Sequence, residues 1–316
     1  MKKILITGAL GQLGSELTVA LRKKYGVDNV IATDIQQPED SPVVTDGLFE
    51  ILDVTNIVRM KELIEHYSVD TIIHLAALLS AVAEAKPILA WNLNMGGLIN
   101  ALEMAREYDL SFFTPSSIGA FGPNTPKDQT PQVTIQRPST MYGVTKVSGE
   151  LLGDYYHQKF EVDTRSVRFP GLISYDTLPG GGTTDYAVDI YYEALRKQGY
   201  ASFIDKGTYM DMMYMPDAVD AIIQLMEANS EQLVHRNAYN VSAMSVAPED
   251  FERAIKAHIP EFNLTFDVDP IRQSIAESWP NAIDTTVASK EWGFSPRFNL
   301  EKMTEDMLIQ LKKKGI

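Results

Sequence analysis

A buried strand that runs directly into a glycine-rich turn constrains this chain more than any other sequence feature. The apolar segment 3–7 leads into a turn with glycines at every third position, and a helix is expected to begin at the last of them. Such glycines allow a tight turn, a close backbone approach to a pyrophosphate, and close packing of helix on strand. Glycines at this spacing also occur in ordinary turns, so the surrounding strand and helix must decide between a dinucleotide site and a plain turn. The turn residues expected to contact a dinucleotide are Gly8, Gly11, Gln12, Leu13 and Gly14.

A carboxylate at the end of the second strand predicts which dinucleotide is bound. Residues 30–33 are apolar and end at Asp34, twenty positions after Gly14. A carboxylate there accepts hydrogen bonds from both ribose hydroxyls of NAD and repels the additional phosphate of NADP. The alternative is a solvated aspartate at a strand end. We therefore expect NAD as the cofactor.

Composition limits the classes of partner. A chain of 316 residues accommodates one large domain or two unequal ones, and its net charge of −14 argues against nucleic acid and anionic membranes. No apolar stretch reaches the roughly 18 residues of a membrane span. The absence of cysteine excludes disulfides and thiol catalysis, and the five histidines lack paired ligand spacing, so no metal is expected. Because Met1 leads directly into the first strand, we expect no targeting segment and a cytoplasmic protein.

Strand and helix patterns alternate through the first half of the chain, which predicts an α/β fold with a doubly wound parallel Rossmann sheet. We expect an NAD-binding domain over residues 1–174, to which the segment of about 211–243 returns, and a smaller mixed α/β substrate domain over residues 175–316. The expected strands are 3–7, 30–33, 49–52, 71–77, 110–114 and 164–169, and further helices are expected over about 56–66, 87–106 and 140–160.

Three side chains form a candidate catalytic set. Tyr142 and Lys146 lie four residues apart on a predicted helix and therefore share a face. A free tyrosine has a pKa near 10, and lowering it by about three units requires roughly 4 kcal/mol of preferential stabilisation of the phenolate. A lysine ammonium and a positively charged nicotinamide are groups that supply it. Ser117, at the end of a neighbouring strand, can hydrogen-bond the substrate oxygen. Tyr-x-x-x-Lys alone also occurs as a surface pair, so the prediction depends on the three occurring together.

Other residues near the predicted sheet edge have competing interpretations. Asp53 is either an acceptor for the adenine amino group or an ordinary loop aspartate. His74 lies inside an apolar strand, which favours a packed core residue over a catalyst. The small residues that follow it would let a cofactor lie against the carboxyl edge of the sheet, where ligands bind in open α/β sheets; they are Leu75, Ala76 and Ala77.

These motifs together resemble the extended short-chain dehydrogenase/reductase family over essentially the whole chain. The motifs are Gly8-x-x-Gly11-x-x-Gly14, Asp34, Asp53-Val54, His74-Leu75-Ala76-Ala77, Asn94, Ser116-Ser117, Tyr142-x-x-x-Lys146 and Arg168-Phe169-Pro170-Gly171. The resemblance implies that Tyr142 is the base, that Lys146 grips the nicotinamide ribose and lowers the tyrosine pKa, and that Ser117 completes the set. It also implies cofactor contacts from Val54, Asn94, Phe169 and Pro170. Family members commonly pair through the helices near 87–106 and 140–160, so we expect a homodimer with a four-helix bundle.

Departures from the nucleotide-sugar enzymes of that family predict a small substrate. Many of those enzymes carry an arginine that meets the nucleotide phosphates, and here Met210 stands at that position, where it cannot pair with a diphosphate. Residues 78–81, 115–122 and 179–187 closely resemble the short-chain type of L-threonine 3-dehydrogenases. This resemblance implies oxidation of the L-threonine β-hydroxyl by NAD⁺ to 2-amino-3-ketobutyrate, without a metal.

A small zwitterion needs hydrogen-bond donors for its carboxylate. Ser80, Thr184 and backbone N–H groups of the glycine loop, such as that of Gly180, are candidates, beside Ser117 and Tyr142 at the reacting hydroxyl. Trp279 either closes the apolar side of the pocket or is an ordinary core or surface tryptophan. The loop 179–186 is either a lid that orders on substrate or a plain linker.

Two other functions remain open on the sequence. One is a nucleotide-sugar epimerase or dehydratase, which a UDP- or dTDP-sugar would stabilise against heat and threonine would not. The other is a non-catalytic NAD sensor, which has no need of an intact set of base, lysine and serine.

Overall fold

A large parallel sheet forms the centre of the fold in the computed structural model, which describes residues 1–178, 180 and 182–316. Its strand order is β3-β2-β1-β4-β5-β7-β11, with β6 paired to β7, and all of these pairs are parallel. The prediction of a doubly wound α/β sheet is confirmed. The strands are β1 Ile4–Thr7, β2 Val30–Asp34, β3 Phe49–Ile51, β4 Thr71–His74, β5 Ser111–Phe113, β6 Ser116–Ser117, β7 Thr164–Phe169, β8 Gly171–Ile173, β9 Gly199–Ser202, β10 Met210–Tyr214, β11 Asn237–Asn240, β12 Met244–Val246 and β13 Asn263–Phe266.

Helices cover both faces of this sheet. None of those described combines the length and apolar character that crossing a membrane requires. The helices are α1 Gln12–Tyr25, α2 Pro42–Thr45, α3 Ile57–Tyr67, α4 Ser80–Ala85, α5 Pro87–Tyr108, α6 Met141–Phe160, α7 Tyr186–Lys197, α8 Met215–Glu227, α9 Pro248–Lys256, α10 Pro270–Ser278, α11 Thr286–Trp292 and α12 Leu300–Lys313.

The first strand shows why its sequence is continuously apolar. Ile4 and Ile6 pack into a core cluster with residues of α1 and α8, whereas Leu5 faces a second cluster formed with α3 and α5. All three side chains are fully buried. A central parallel strand covered by helices on both faces has no solvent-facing position, so alternation with polar residues is lost.

A second layer is built mainly from the later part of the chain. Strands β8, β10 and β12 form a small sheet, and β9 pairs with β13. A third core cluster lies here, with Tyr186, Tyr191 and Phe251 among its largest buried side chains. The chain returns to the large sheet through α8, which packs on α1, and through β11, which pairs with β7. The boundary at residue 174 and the returning segment 211–243 stay predictions.

Three local features differ from expectation. Helix α1 begins at Gln12 rather than at Gly14, because Gly11 adopts the extended backbone of an N-cap and its carbonyl accepts the Ser15 N–H at 2.9 Å. Strand β4 ends at His74 rather than at Ala77, since the following residues leave the sheet. The short helix α4 was not expected from the sequence.

Helix α1 is bonded to the segment that leads from β8 toward the glycine loop. The Ser15 and Thr177 hydroxyls lie 2.9 Å apart, and Gln12 Nε2 donates to the Thr177 carbonyl at 3.4 Å. The Ser174 hydroxyl donates to the Glu16 carboxylate. Side-chain hydrogen bonds therefore join α1 to the segment between β8 and the candidate lid 179–186.

The carboxyl group of Glu16 makes stability depend on pH. Burial raises its pKa to about 7, and Asp176 acts in the same direction, whereas the hydrogen bond from Ser174 and the charge of Lys314 lower it. An acid whose pKa is raised by folding contributes stability that is complete below about pH 4.5 and is lost as pH rises through about 7. We expect Glu16→Gln, which removes this cost, to raise Tm at pH 8 by about 2–5 °C and to change it little at pH 5.

Differential scanning calorimetry at both pH values measures this effect. Glu305→Gln, an exposed substitution on α12, is the matched control and should leave both values unchanged. An equal change at pH 5 and pH 8 would contradict the titration of Glu16.

Candidate active site

A cavity of about 260 Å³ lies at the carboxyl edge of the large sheet, between the glycine turn and the loop that precedes α7. Predicted residues from distant parts of the sequence meet there. They are Gly8, Gly11, Gln12, Leu13, Gly14, Leu75, Ala77, Ser80, Ser117, Tyr142, Lys146, Phe169, Pro170, Gly180, Thr184 and Trp279. In the candidate lid 179–186, Pro179 and Gly181 lie outside the described residues.

The glycine turn has the geometry that a dinucleotide requires. Gly8 has a φ of +69°, and a Cβ atom on Gly14 would lie only 2.3 Å from the Gly8 carbonyl oxygen. A Cβ on Gly11 would meet just that oxygen at 3.3 Å, so the outer side of the turn is open to a ligand. The first turn of α1 points its N–H groups toward this side, and a pyrophosphate fits such a backbone cradle.

Asp34 is held beside the glycine turn by the backbone. Its Oδ2 accepts the Leu10 N–H at 3.1 Å, and its Oδ1 accepts the Ile35 N–H at 2.8 Å. Each carboxylate oxygen keeps a second lone pair for another donor, such as a ribose hydroxyl. Asp53, by contrast, is exposed and accepts bonds from the Thr55 N–H and hydroxyl at 2.9 and 2.7 Å. Neither aspartate lines the cavity, and both cofactor roles stay predictions.

Three other predicted cofactor residues lie behind the cavity wall. Val54 is buried against Gly97 of α5. Asn94 binds both backbone groups of Leu78, accepting its N–H at 2.8 Å and donating to its carbonyl at 3.1 Å. Ala76 and Asn94 line a separate small cavity of about 30 Å³. Asn94 thus fixes the loop after β4, and its direct contact with a cofactor stays a prediction.

The serine and tyrosine of the catalytic set meet at the start of α6. Thr140 caps this helix, its hydroxyl accepting the Gly143 N–H at 3.1 Å, so that Tyr142 lies in the first turn. The aromatic ring of Tyr142 packs on Gly119. The Ser117 hydroxyl oxygen accepts the Gly119 N–H at 3.1 Å, which leaves its own O–H to donate in another direction.

The lysine of the set is fixed by a backbone carbonyl that lies between β5 and β6. Lys146 Nζ donates to the Pro115 carbonyl at 2.6 Å and lies 5.3 Å from the centroid of the Tyr142 ring. Its ammonium group is therefore oriented by the backbone at the same cavity wall that carries Ser117.

Burial moves both ionisable groups of the set toward their neutral forms. It raises the pKa of Tyr142 to about 12, with the hydrogen bond of Ser117 acting in the opposite direction. It lowers the pKa of Lys146 to about 8, against the charge of Glu150. In this structure the pKa of Tyr142 is set by burial and by Ser117, and the expected lowering by Lys146 and a bound nicotinamide stays a prediction.

His74 and Met210 are core residues. His74 is buried, its Nδ1 lies 2.9 Å from the Thr7 hydroxyl, and burial lowers its pKa to about 3, so the ring is neutral. Met210 is fully buried in an apolar cluster. Within residues 1–178, 180 and 182–316, no group of three or more histidine, cysteine, aspartate or glutamate side chains is placed to hold a metal ion.

Sequence reasoning missed several residues that line the cavity. Thr183 and Asp185 flank the predicted Thr184, and the Gly182 N–H donates to Asp185 Oδ2 at 2.5 Å. Their position in the same polar loop was the available signal. The other residues not predicted for the site are Leu79, Pro115, Ile118, Gly171 and Leu172, whereas Ser116 belongs to the Ser116-Ser117 motif and Gly182 to the glycine loop. Among the described lining residues, Lys146 is the basic side chain and Asp185 the acidic one.

Comparison with known proteins agrees with this geometry. The model of the NAD dependent epimerase/dehydratase family matches residues 4–242. An uncharacterised epimerase/dehydratase of Staphylococcus saprophyticus is 64% identical over 314 residues, covering 99% of this chain and 98% of the relative. The solved L-threonine dehydrogenase of Clostridium difficile is 65% identical, with a TM-score of 0.99 and coverage of 100% and 99%. That of Phytophthora infestans is 46% identical, with a TM-score of 0.95 and coverage of 99% and 100%.

Proposed function

We propose that this chain, which belongs to the NAD-dependent epimerase/dehydratase family, oxidises the β-hydroxyl of L-threonine to 2-amino-3-ketobutyrate with NAD⁺. The observation that carries this proposal is the charge of the cavity. Lys146 and Asp185 are the charged side chains among its described lining residues. Met210, which the sequence comparison places at the position of the arginine that meets a nucleotide diphosphate, is fully buried. The similarity to solved threonine dehydrogenases along the whole chain supports the same substrate.

The cofactor is bound at one side of the cavity and the substrate at the other. The glycine turn holds the pyrophosphate, Asp34 binds the adenosine ribose, and Phe169 and Pro170 lie beside the nicotinamide. On the other side, Ser80 and Thr184 donate hydrogen bonds to the substrate carboxylate, and Trp279 covers the substrate methyl group. The Thr184 side chain packs beside Gly171, directly after Pro170, which places it close to both halves of the cavity.

The chemical step moves one proton and one hydride. Bound NAD⁺ supplies the hydride acceptor and a positive charge. Ser117 donates a hydrogen bond to the β-hydroxyl oxygen and holds it toward Tyr142, whose phenolate takes the hydroxyl proton as the β-carbon loses its hydride. We expect the ammonium group of Lys146 and the positive nicotinamide together to lower the tyrosine pKa, because opposite charges attract strongly in a water-poor site.

The first test is the formation of NADH, followed at 340 nm, with L-threonine at mildly alkaline pH. We expect turnover with L-threonine, little with L-serine, and none with D-threonine, whose stereochemistry misdirects the hydride. Tyr142→Phe should lower kcat at least 50-fold while NAD⁺ still binds, because only the ionisable oxygen is lost. Tyr209→Phe, an exposed tyrosine before β10, is the control. Inert threonine together with a reactive UDP- or dTDP-sugar would overturn the assignment.

Asp34 is expected to set the preference between cofactors. The wild type should favour NAD⁺ over NADP⁺ by at least about 100-fold in kcat/KM, because a phosphate opposite a carboxylate costs several kcal/mol. Asp34→Ser should reduce this ratio at least tenfold, and Asp40→Ser, an exposed loop change, should leave it intact. Equal use of both cofactors by the wild type would show that Asp34 does not face the ribose.

Thr184 is expected to hold the substrate carboxylate. Loss of one hydrogen bond to a charged group costs roughly 1.5–3 kcal/mol, so Thr184→Ala should lower kcat/KM for L-threonine by about 10- to 150-fold. The dissociation constant of NAD⁺ should stay nearly unchanged. Thr265→Ala, exposed on β13, serves as the control. Unaltered threonine kinetics in Thr184→Ala would make the loop a linker only.

We further propose a homodimer formed through α5 and α6. These two helices pack together, and each presents exposed apolar side chains, among them Ile88 and Ile99 on α5 and Leu151 and Tyr155 on α6. Spacings of eleven and four residues keep each pair on one helix face. A second copy would cover both stripes as a four-helix bundle.

Light scattering at micromolar concentration tests the dimer. We expect twice the chain mass for the wild type and a monomer for Leu151→Glu, because a charge would be buried in the bundle. Val19→Glu, another exposed apolar position, on α1, should remain dimeric. A monomeric wild type would refute the proposal.

A further inference from the structure

A buried ion pair lies one helical turn beyond the lysine of the catalytic set. Glu150 follows Lys146 by four residues, so both side chains project from one face of α6. Arg168 of β7 donates twice to its carboxylate, from Nε to Oε1 at 3.0 Å and from Nη2 to Oε2 at 2.8 Å. Glu150 and Arg168 are each 5% exposed. The buried carboxylate of Glu150 is therefore held by a bidentate ion pair with Arg168.

The same carboxylate is bonded to other elements of the candidate site. The Ser116 hydroxyl donates to Glu150, and Ser116 directly precedes Ser117. Gln136 Nε2 donates to Oε2 at 2.7 Å. Arg168 directly precedes Phe169, which lines the cavity. Strand β6, helix α6 and strand β7 thus meet at one carboxylate.

Glu150 and Lys146 also line the same small cavity of about 30 Å³. Charges that share a buried, water-poor space are weakly screened and influence one another strongly. Burial lowers the pKa of Lys146, and the charge of Glu150 acts in the opposite direction. Without that charge, the ammonium form of the lysine would be lost at lower pH.

The other charged and titratable groups around Lys146 do not supply this effect. Tyr142, on the same helix, is neutral below its raised pKa. His74, on β4, is neutral because its pKa is lowered to about 3. Arg168, on β7, is positive, and its guanidinium is engaged with the carboxylate and with the Gln132 carbonyl at 2.9 Å. Asp185 lines the larger cavity with Lys146, but the carboxylate that raises the pKa of the lysine is that of Glu150. Glu150 is thus the negative charge that offsets the burial of the lysine.

We infer that Glu150 is a positioning residue of this site, which keeps Lys146 in its ammonium form and ties the strand of Ser117 to the helix of Tyr142. The inference deepens the proposed function and rests on it for the role of Lys146 at the nicotinamide ribose. Hydrophobic residues of similar volume would stabilise the fold as well as this buried ion pair does, or better. The inference therefore gives the pair a role other than stabilising the fold.

The test is the pH dependence of NADH binding, measured by fluorescence, together with that of kcat/KM. For the wild type we expect NADH binding to weaken as Lys146 loses its proton, near pH 8. Glu150→Gln keeps the shape and removes the charge, so this midpoint should move about one pH unit lower. At pH 8, kcat should fall at least tenfold. An unmoved midpoint in a folded Glu150→Gln protein overturns the inference.

Two further variants separate positioning from folding. Asp163→Asn breaks a comparable ion pair at the amino end of β7, where Asp163 binds Arg165 and Arg236, each at 2.8 Å. It should lower Tm without moving the midpoint, and a shift equal to that of Glu150→Gln overturns the inference. Glu150→Asp keeps the charge and decides the case if the glutamine variant does not fold. A midpoint within about 0.3 pH units of the wild type supports the inference, and a larger displacement overturns it.

The binding measurement also separates this inference from the proposed function. NADH binding requires no amino-acid substrate, so its midpoint is measurable even if L-threonine is inert. Inert threonine with a shifted midpoint refutes the substrate and retains the role of Glu150. Turnover of L-threonine with an unmoved midpoint supports the substrate and refutes the role of Glu150.

Discussion

The parallel direction of the strands in the large sheet is the constraint on which the candidate site depends. Parallel strands all end at one edge, so the turns after them must meet there. Gly8 follows β1, Leu75 follows β4, Ser117 ends β6 and Phe169 ends β7. These residues are far apart in the sequence and line one cavity. The topology of the sheet therefore brings the residues of the candidate site together.

Burial opposes the chemistry that the site is proposed to perform. Removal from water favours a neutral phenol and a neutral amine, whereas proton abstraction needs a phenolate beside an ammonium. The structure counters this with fixed groups: the Pro115 carbonyl on Lys146, the hydroxyl of Ser117 near Tyr142, and the carboxylate of Glu150 behind the lysine. The same low polarity that disfavours the charges strengthens their mutual attraction, so the balance depends on accurate placement.

Local patterns were sufficient for the fold and for much of the cavity, whereas long-range contacts were not. The apolar strand before Gly8 and the four-residue spacing of Tyr142 and Lys146 are visible within short windows. By contrast, nothing near Asn94 indicates that its amide binds the backbone of Leu78. The partnership of Glu150 with Arg168 likewise exists only once α6 packs on β7. Periodicity identifies which face of an element is buried, and partners on other elements follow from tertiary packing.

The bonds between α1 and the segment before the candidate lid have a thermodynamic consequence. Gln12 and Ser15 belong to the helix that begins at the cofactor turn, and both contact Thr177, shortly before the loop that carries Thr184. Linkage between two sites is reciprocal. Any free energy that cofactor binding transmits through Thr177 to the loop must reappear, in equal amount, as a change in cofactor affinity when a substrate binds to the loop. Any cooperativity between the two ligands thus depends in part on a few hydroxyl and amide contacts remote from the reacting atoms.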